Sequence, residues 1–383
     1  MKSEYVYFDH NATTPMDPLV RSEMLDFMDS NFGNASSRHS LGTVASEAVE
    51  RARSQIAELV EVEKKQIIFT SGGTESNNLI IKGFGLTRPP GKIIISTIEH
   101  PCIKKPANSL SKIGWDVSSV PVGESGVVDL SCLEESLDQG GNVLSVMLAN
   151  NETGVFQPIE LISEMASKAR VFFHTDAVQA IGKVPVSFEK LGVQAMSISA
   201  HKLNGPKGVG ALIVDKKISI DPLIEGGGHE GGLRSGTLNV PAIVGFGKAC
   251  ELATKRIKLI TNSSEFLRPL LEEKLAQMGA TIFGRDEKRL PNTSYFAVPE
   301  VVGETLVMAL DSAGFAVSSG AACSSSSEGP SEVLKAMNVE EDVAIGAVRV
   351  SFGPNNTEDE VQRFSMKLEN IINSFRSMSA VAI

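Results

Sequence analysis

The chain has 383 residues, more than one hydrophobic core usually holds, so we expect about two domains. A net charge of −10 and the lack of a long basic run argue against a nucleic-acid-binding protein. No window stays apolar for the roughly 18 residues of a membrane span, and the amino terminus lacks the apolar stretch of a signal peptide. We therefore expect a cytoplasmic protein.

Short β-rich apolar runs alternate with amphipathic stretches along the first two thirds of the chain. The runs that favour strands are 66–70, 92–96, 143–149, 171–176, 195–199 and 210–214. Between them, apolar residues at three- and four-residue spacing predict a helix over 41–60. This alternation predicts an α/β fold, with a mainly parallel sheet covered by helices and ligand groups at the carboxyl ends of the strands.

The pattern changes after about residue 254. A long helix is predicted over 262–278, a strand near 293–298, and a last helix that begins with the capping box from Thr357 to Glu360. We therefore expect a large domain over residues 15–254. Residues 1–14 and 255–383 are expected to form a smaller α+β domain packed closely against it.

A glycine-rich turn follows the first predicted strand. Residues 70–75 read Thr-Ser-Gly-Gly-Thr-Glu and precede a helical stretch that begins near Glu75. The N–H groups at a helix start, together with the close approach that glycine permits, suit a bound phosphate. Such turns are also common connectors, so the turn alone leaves both interpretations open.

Two charged residues follow neighbouring predicted strands. Asp176 ends the run 171–176, where its carboxylate either keeps a ring nitrogen protonated or simply caps the next helix. Lys202 follows the run 195–199, and a lysine held there beside an anion site suits a Schiff base. Together they match the recurring arrangement of a pyridoxal-phosphate (PLP) lysine with an acidic partner for the ring nitrogen.

Ten short segments, in family order, resemble the cysteine desulfurases of the NifS/IscS group, which are fold-type I PLP enzymes related to class V aminotransferases. They cover nearly the whole chain and read YFDHNATTP, GNASS, TSGGTESNN, EHP, ANNETG, HTDAVQ, SAHKLNGPKG, RSGT, LPNT and SSGAACSSSS. The resemblance implies PLP in the large domain, a homodimer, and the conversion of L-cysteine to L-alanine.

The resemblance also implies a role for each matching residue. Lys202 would hold PLP as a Schiff base and later remove the Cα proton of the substrate, and Asp176 would pair with the pyridine nitrogen. His100 would stack on the ring and complete the catalytic set. The other implied cofactor-binding residues are Asn151 and Gln179 at the ring, Gly73, Thr74, Ser199 and His201 at the phosphate, and Thr237 from a second subunit.

Arg349, together with Asn151, is implied to bind the substrate carboxylate, a task that suits the planar guanidinium fork. Without the resemblance, Arg349 could equally be an arginine on the exposed face of a strand. His100, as a lone histidine, is more often a partly buried residue at a strand end than a catalytic one.

The four cysteines lie too far apart for a CxxC motif and are too few for a disulfide scaffold, so each is expected to be a free thiol. Cys323 lies in a small, polar, loop-like stretch, and Cys102 beside His100 is its rival as a nucleophile. Cys132 and Cys250 fall in amphipathic stretches that favour the core. The residues alone do not decide whether Cys323 or Cys102 is the nucleophile.

The resemblance selects Cys323. Its thiolate would attack the substrate sulfur, carry it as a persulfide, and deliver it to an iron–sulfur scaffold protein. The same resemblance implies Cys323 as a transient metal ligand in a cluster shared with that scaffold.

The alternatives are a selenocysteine lyase, another class V PLP enzyme such as an aminotransferase, or a non-catalytic scaffold homologue. A thiol at position 323 argues against an aminotransferase. The presence of Lys202, Asp176 and Cys323 argues against a non-catalytic homologue. Selenocysteine chemistry is nearly the same as that of cysteine, so this alternative stays open.

Overall fold

The computed structural model describes residues 5–319 and 329–381, with side chains described except at 258–265 and 378–381. Its strands are β1 (Val6–Tyr7), β2 (Ile67–Thr70), β3 (Lys92–Ser96), β4 (Asp116–Val120), β5 (Val143–Ser145), β6 (Phe172–Asp176), β7 (Ala195–Ser199), β8 (Gly210–Val214), β9 (Thr281–Ile282), β10 (Thr293–Ala297), β11 (Phe315–Ala316), β12 (Ser318–Ser319) and β13 (Ala347–Ser351).

The helices are interspersed with these strands along the chain. They are α1 (Pro18–Asp29), α2 (Ser40–Val60), α3 (Gly73–Leu86), α4 (Pro101–Leu110), α5 (Leu130–Asp138), α6 (Ile159–Ala169), α7 (Phe188–Leu191), α8 (Val240–Gln277), α9 (Gly303–Ser312), α10 (Glu332–Ala336), α11 (Glu341–Ala344) and α12 (Glu358–Val381). In the described part of the chain, no helix combines the length and apolar character that crossing a membrane requires.

A seven-stranded sheet forms the centre of the fold, with the order β2-β8-β7-β6-β5-β3-β4. Strand β8 runs antiparallel to both of its neighbours, and the other pairs are parallel. Every residue of β6, β7 and β8 is buried, as expected for strands with helices on both faces. The predicted α/β fold with a mainly parallel sheet is therefore confirmed.

Two predicted elements have different lengths in the structure. The run 143–149 forms a strand only at Val143–Ser145, because Val146 and Leu148 bond to the backbone of β6 without continuing the pairing with β3. The helix predicted at 262–278 is the end of α8, which begins at Val240 behind the N-cap residue Asn239. Residues 254 and 255 both lie within this helix, so a continuous helix joins the two expected domains.

A smaller four-stranded sheet, with the order β12-β13-β10-β9, forms beside a second hydrophobic core. Strand β1 pairs with β11 in parallel, and Phe8 packs against Phe315 and Phe364 in that core. This pairing fixes the start of residues 9–15, which continue towards the central sheet. The last helix, α12, begins with the predicted capping box, in which Thr357 and Glu360 exchange hydrogen bonds of 2.9 and 3.3 Å.

Candidate active site

The glycine turn after β2 lies against the end of β7. Helix α3 begins at Gly73, two residues before the predicted start. A Cβ placed on Gly73 would lie 2.7 Å from Val178 Cγ2 and 3.8 Å from Ser199 Cβ, so a side chain at this position would clash. The fold thus brings the start of α3 and Ser199 together, as an anion site requires.

Asp176 ends β6 and lies next to β7, where it pairs in register with Ser197. Its Oδ1 accepts a hydrogen bond of 2.9 Å from the Val178 N–H, so the residue caps a turn. Its Oδ2 accepts a bond of 2.6 Å from Nδ2 of Asn77, a fully buried residue of α3. The next helix, α7, begins only at Phe188, so Asp176 caps a turn with one carboxylate oxygen and not a helix, while the other oxygen is held in place by a side chain.

Lys202 follows β7 in the short 3-10 turn Ala200–Lys202. Its ammonium donates hydrogen bonds of 2.5 and 2.7 Å to the backbone carbonyls of Asn11 and Ala12. The amino-terminal segment thus closes over the carboxyl end of the sheet. Lys202 and Asp176 follow adjacent parallel strands, as the sequence predicts.

Asn11 joins the two sheets and was not singled out by sequence reasoning. Its carbonyl accepts a hydrogen bond of 3.0 Å from Gln179 Nε2, and its Oδ1 accepts one of 2.6 Å from Lys183 Nζ. Lys183 also donates to Gln179 Oε1 at 2.9 Å, and burial holds its pKa well below the ordinary lysine value. Lys183 follows Gln179 by four residues in sequence, but nothing in that spacing indicates a buried lysine.

His100 caps the start of α4 rather than simply ending a strand. Its Nδ1 accepts a hydrogen bond of 3.2 Å from the Cys102 N–H and lies 2.8 Å from Cys102 Sγ. Burial lowers the pKa of His100, and the nearby carboxylate of Asp176 opposes that shift. The imidazole is therefore neutral at physiological pH.

Arg349 occupies the middle of β13 and is 1% exposed, which rules out the surface-strand alternative. One guanidinium nitrogen donates to Asp9 Oδ1 at 2.8 Å and the other donates to the Asn151 carbonyl at 2.9 Å. Arg349 is therefore in contact with the backbone of Asn151.

The remaining residues of the implied phosphate site differ in exposure. Thr74 is exposed in the first turn of α3. The Nδ1 of His201 lies 3.2 Å from the Oγ1 of Thr13. Burial lowers the pKa of His201 to about 4. Thr237 is also exposed, and Arg234 of the same RSGT segment bonds to Glu75 at 2.9 Å. The role of Thr237 in a second subunit stays a prediction.

Cys323 lies outside the described residues, but its three counterparts are described. Cys250 is buried, and burial raises its pKa. Burial also raises the pKa of Cys102 to about 12, which disfavours its thiolate. Cys132 packs against the main core. Within residues 5–319 and 329–381, no cluster of three histidine, cysteine or acidic residues suits a metal ion.

The geometry can be compared with known proteins. The Aminotransferase class-V family model matches residues 6–364. The chain belongs to the class-V aminotransferase family.

Relatives of this member of the class-V aminotransferase family narrow the assignment. A protein of Dictyoglomus turgidum named cysteine desulfurase IscS is 42% identical, over 99% of this chain and 97% of its own. One of Archaeoglobus fulgidus, named cysteine desulfurase IscS 1, is 41% identical over 97% and 98%. A solved structure described as a NifS-like protein superposes with a TM-score of 0.91 at 41% identity, over 96% of this chain and 99% of its own. The resemblance to the NifS/IscS cysteine desulfurases is confirmed.

The class-V aminotransferase family implies PLP, and the residues of this site fit it. Asp176 offers a buried carboxylate that Asn77 holds in place, as a protonated ring nitrogen requires. Gly73 begins α3, whose first N–H groups suit an anion, and Ser199 lies beside it. Lys202 supplies a primary amine at the same edge of the sheet.

A buried carboxyl supports the His100 loop and predicts a pH dependence of stability. Oε1 of Glu99 accepts hydrogen bonds from the Ser96 hydroxyl at 2.6 Å and the Met147 N–H at 2.8 Å. Burial raises the pKa of Glu99 to about 8, against an ordinary value of 4.5. Between these two pH values the folded protein keeps a proton that the unfolded chain has lost, so this carboxyl makes the protein less stable as the pH rises.

We expect Glu99→Gln to remove this contribution, because an amide keeps the accepting oxygen but does not ionise. Urea unfolding measured from about pH 5 to pH 8 should show wild type losing a few kcal/mol more than the variant. Glu58→Gln, on an exposed face of α2, is the control and should follow wild type. Parallel pH curves for wild type and Glu99→Gln would show that Glu99 is not protonated in the fold.

Proposed function

We propose that this protein removes sulfur from free L-cysteine, releases L-alanine, and passes the sulfur to an acceptor protein for iron–sulfur cluster assembly. The observation that carries the proposal is the meeting of Lys202, Asp176 and the glycine turn at one edge of the central sheet. Relatives named cysteine desulfurases match this chain over almost its whole length.

We assign the cofactor contacts as follows. Lys202 would attach PLP, Asp176 would keep the ring nitrogen protonated, and His100 would lie against the ring. The remaining cofactor contacts that we propose are Asn151 and Gln179 at the ring, Gly73, Thr74, Ser199 and His201 at the phosphate, and Thr237 from the second subunit of a homodimer. When bound, PLP supplies an electron sink for the bonds at the substrate Cα.

The side chains of this protein perform the other steps. Arg349, with Asn151, binds the substrate carboxylate, because the guanidinium fork suits a carboxylate and is already fixed by Asp9. After the amino group of the substrate has replaced Lys202 on the cofactor, the freed amine of Lys202 takes the Cα proton as general base. The contacts of Arg349 and Asn151 with the carboxylate orient the substrate, so that its sulfur is the atom exposed to attack.

The sulfur transfer requires a nucleophilic thiol, which we assign to Cys323. Its thiolate attacks the substrate sulfur, an S–S bond forms, and the C–S bond breaks with its electron pair left on the substrate carbon. That carbon takes a proton and becomes the methyl group of alanine, and Lys202 returns a proton to the Cα before alanine leaves. The persulfide on Cys323 then carries the sulfur to the scaffold protein, where the same thiol serves as a transient cluster ligand.

The described residues on both sides of Cys323 support this assignment. Ser318 of β12 pairs with Arg349, so the chain before position 320 lies beside the proposed carboxylate site. Beyond position 328, the Ser331 hydroxyl donates to the carboxylate of Glu152, next to Asn151. The proposal keeps the two predicted domains, with PLP in residues 15–254 and Cys323 in the domain formed by residues 1–14 and 255–383.

A direct assay tests the proposed reaction. Purified protein supplied with PLP should turn yellow and, under a thiol reductant, release sulfide and alanine from L-cysteine in equal amounts. D-cysteine is a control with the same thiol and the wrong hand at the Cα, and it should yield neither product. Alanine without sulfide, or a protein that stays colourless with PLP, would overturn the proposal.

A further inference from the structure

The thiol of Cys102 lies between two residues of the candidate active site. Its Sγ is 2.8 Å from His100 Nδ1 and 3.0 Å from Asn77 Nδ2. Asn77 also donates to Asp176 Oδ2 at 2.6 Å. A continuous hydrogen-bonded row therefore runs from the carboxylate of Asp176 through Asn77 and Cys102 to the imidazole of His100.

The carboxylate fixes the direction of these hydrogen bonds. Asp176 accepts hydrogen bonds, so the nitrogen end of the Asn77 amide must face it. The second N–H of that amide points to Cys102, so the sulfur is an acceptor towards Asn77. The only proton that the thiol has left to give is its own S–H, and His100 Nδ1 is the partner in reach.

Two donors therefore meet at His100 Nδ1, the S–H of Cys102 and its backbone N–H at 3.2 Å. A nitrogen that accepts hydrogen bonds carries no proton, so the proton of the neutral ring sits on Nε2. Burial, which raises the pKa of Cys102 to about 12, keeps the thiol protonated and able to donate.

We propose that Cys102 is a positioning residue that holds His100 as the neutral Nε2–H tautomer and couples its orientation to the Asn77–Asp176 pair. This proposal rests on the proposed function, in which His100 lies against PLP. It also gives a use to the thiol that competed with Cys323 as the nucleophile. Cys102 acts through His100 and Asn77 and forms no bond to sulfur from the substrate.

The test is to measure the pKa of His100 in the holoenzyme by ¹⁵N NMR of the histidine rings. The variant His100→Gln identifies the signal of His100, because that signal is missing from its spectrum. Cys102→Ala removes the S–H donor that stabilises the neutral ring, so the pKa of His100 should rise by roughly half a unit to one unit. Cys102→Ser restores a donor and an acceptor and should return the pKa most of the way to wild type. Cys250→Ala removes a buried thiol away from His100 and should leave the signal unchanged.

Other charges act on His100 in every variant and cancel in the comparison. Asp176 favours the charged ring, while Lys202 and Lys104 disfavour it. An unchanged His100 titration in Cys102→Ala, or an equal shift in the alanine and serine variants, would overturn the positioning role. The NMR measurement does not depend on turnover. If wild type released no sulfide from L-cysteine, the proposed function would be refuted, whereas the positioning role of Cys102 would still be decided by the His100 titration.

Discussion

Lys202→Ala is expected to lower the rate of cysteine desulfuration by at least about 10³-fold, because one amine both attaches the cofactor and moves the Cα proton. Among the described contacts, Lys202 is the only lysine that donates to the backbone carbonyls of both Asn11 and Ala12, at the end of β7. The neighbouring Lys183 bonds to Asn11 and Gln179 side chains instead. We therefore expect no substitute base.

The measurement is borohydride reduction of the protein with PLP, followed by peptide mass analysis and a sulfide assay. Wild type should carry the reduced cofactor on the peptide that contains Lys202, and the variant should carry none. Lys207→Ala, an exposed lysine of the same turn, is the matched control and should keep both attachment and activity. Cofactor fixed to another lysine with sulfide release intact would contradict the assignment.

Cys323→Ala should reduce sulfide release by at least about 10²-fold while leaving the absorbance of bound PLP unchanged. The physical reason is the separation of two tasks, since PLP attachment needs Lys202 and sulfur transfer needs a thiolate. Of the described thiols, Cys250 is fully buried and the pKa of Cys102 is raised to about 12 by burial, so neither replaces Cys323.

Cys132→Ala is the control for this experiment, because it removes a free thiol that packs on the main core. It should retain wild-type sulfide release. If Cys323→Ala kept full activity and Cys102→Ala lost it, the nucleophile would be Cys102, and the positioning role proposed for that residue would fall with the assignment.

The sequence predicts the parts of the site that depend on where strands end. Asp176 and Lys202 follow apolar runs, and parallel neighbouring strands must bring their carboxyl ends to one edge. The glycine turn before α3 and the capping box at Thr357 are equally local signals. These elements are predictable because the information lies within a few residues of the position concerned.

The contacts missed by sequence reasoning join residues far apart in the chain. Asn11 meets Lys202, Lys183 and Gln179 only because β1 pairs with β11 and directs residues 9–15 over the sheet. Asn77 lies on a buried face of α3. In the sequence, nothing distinguishes it from an ordinary polar residue of a helix. Such contacts depend on packing between elements, which periodicity and spacing do not encode.

The length of α8 was missed for a related reason. Its sequence has no single amphipathic pattern, because it packs against α2 and α1 near its start and against the second core near its end. The helix therefore changes its buried side along its length, and only its later part shows the expected pattern. The cap at Asn239 followed by Pro241 was the available signal for its start.

The most direct test of the account is to locate the sulfur after one turnover. Protein loaded with PLP is mixed with L-cysteine in the absence of reductant, trapped with an alkylating agent, digested, and measured by mass spectrometry. The account predicts one added sulfur atom on the peptide that contains Cys323, together with an equal amount of alanine. Added sulfur on Cys102, or alanine formed with no sulfur on any cysteine, would contradict it.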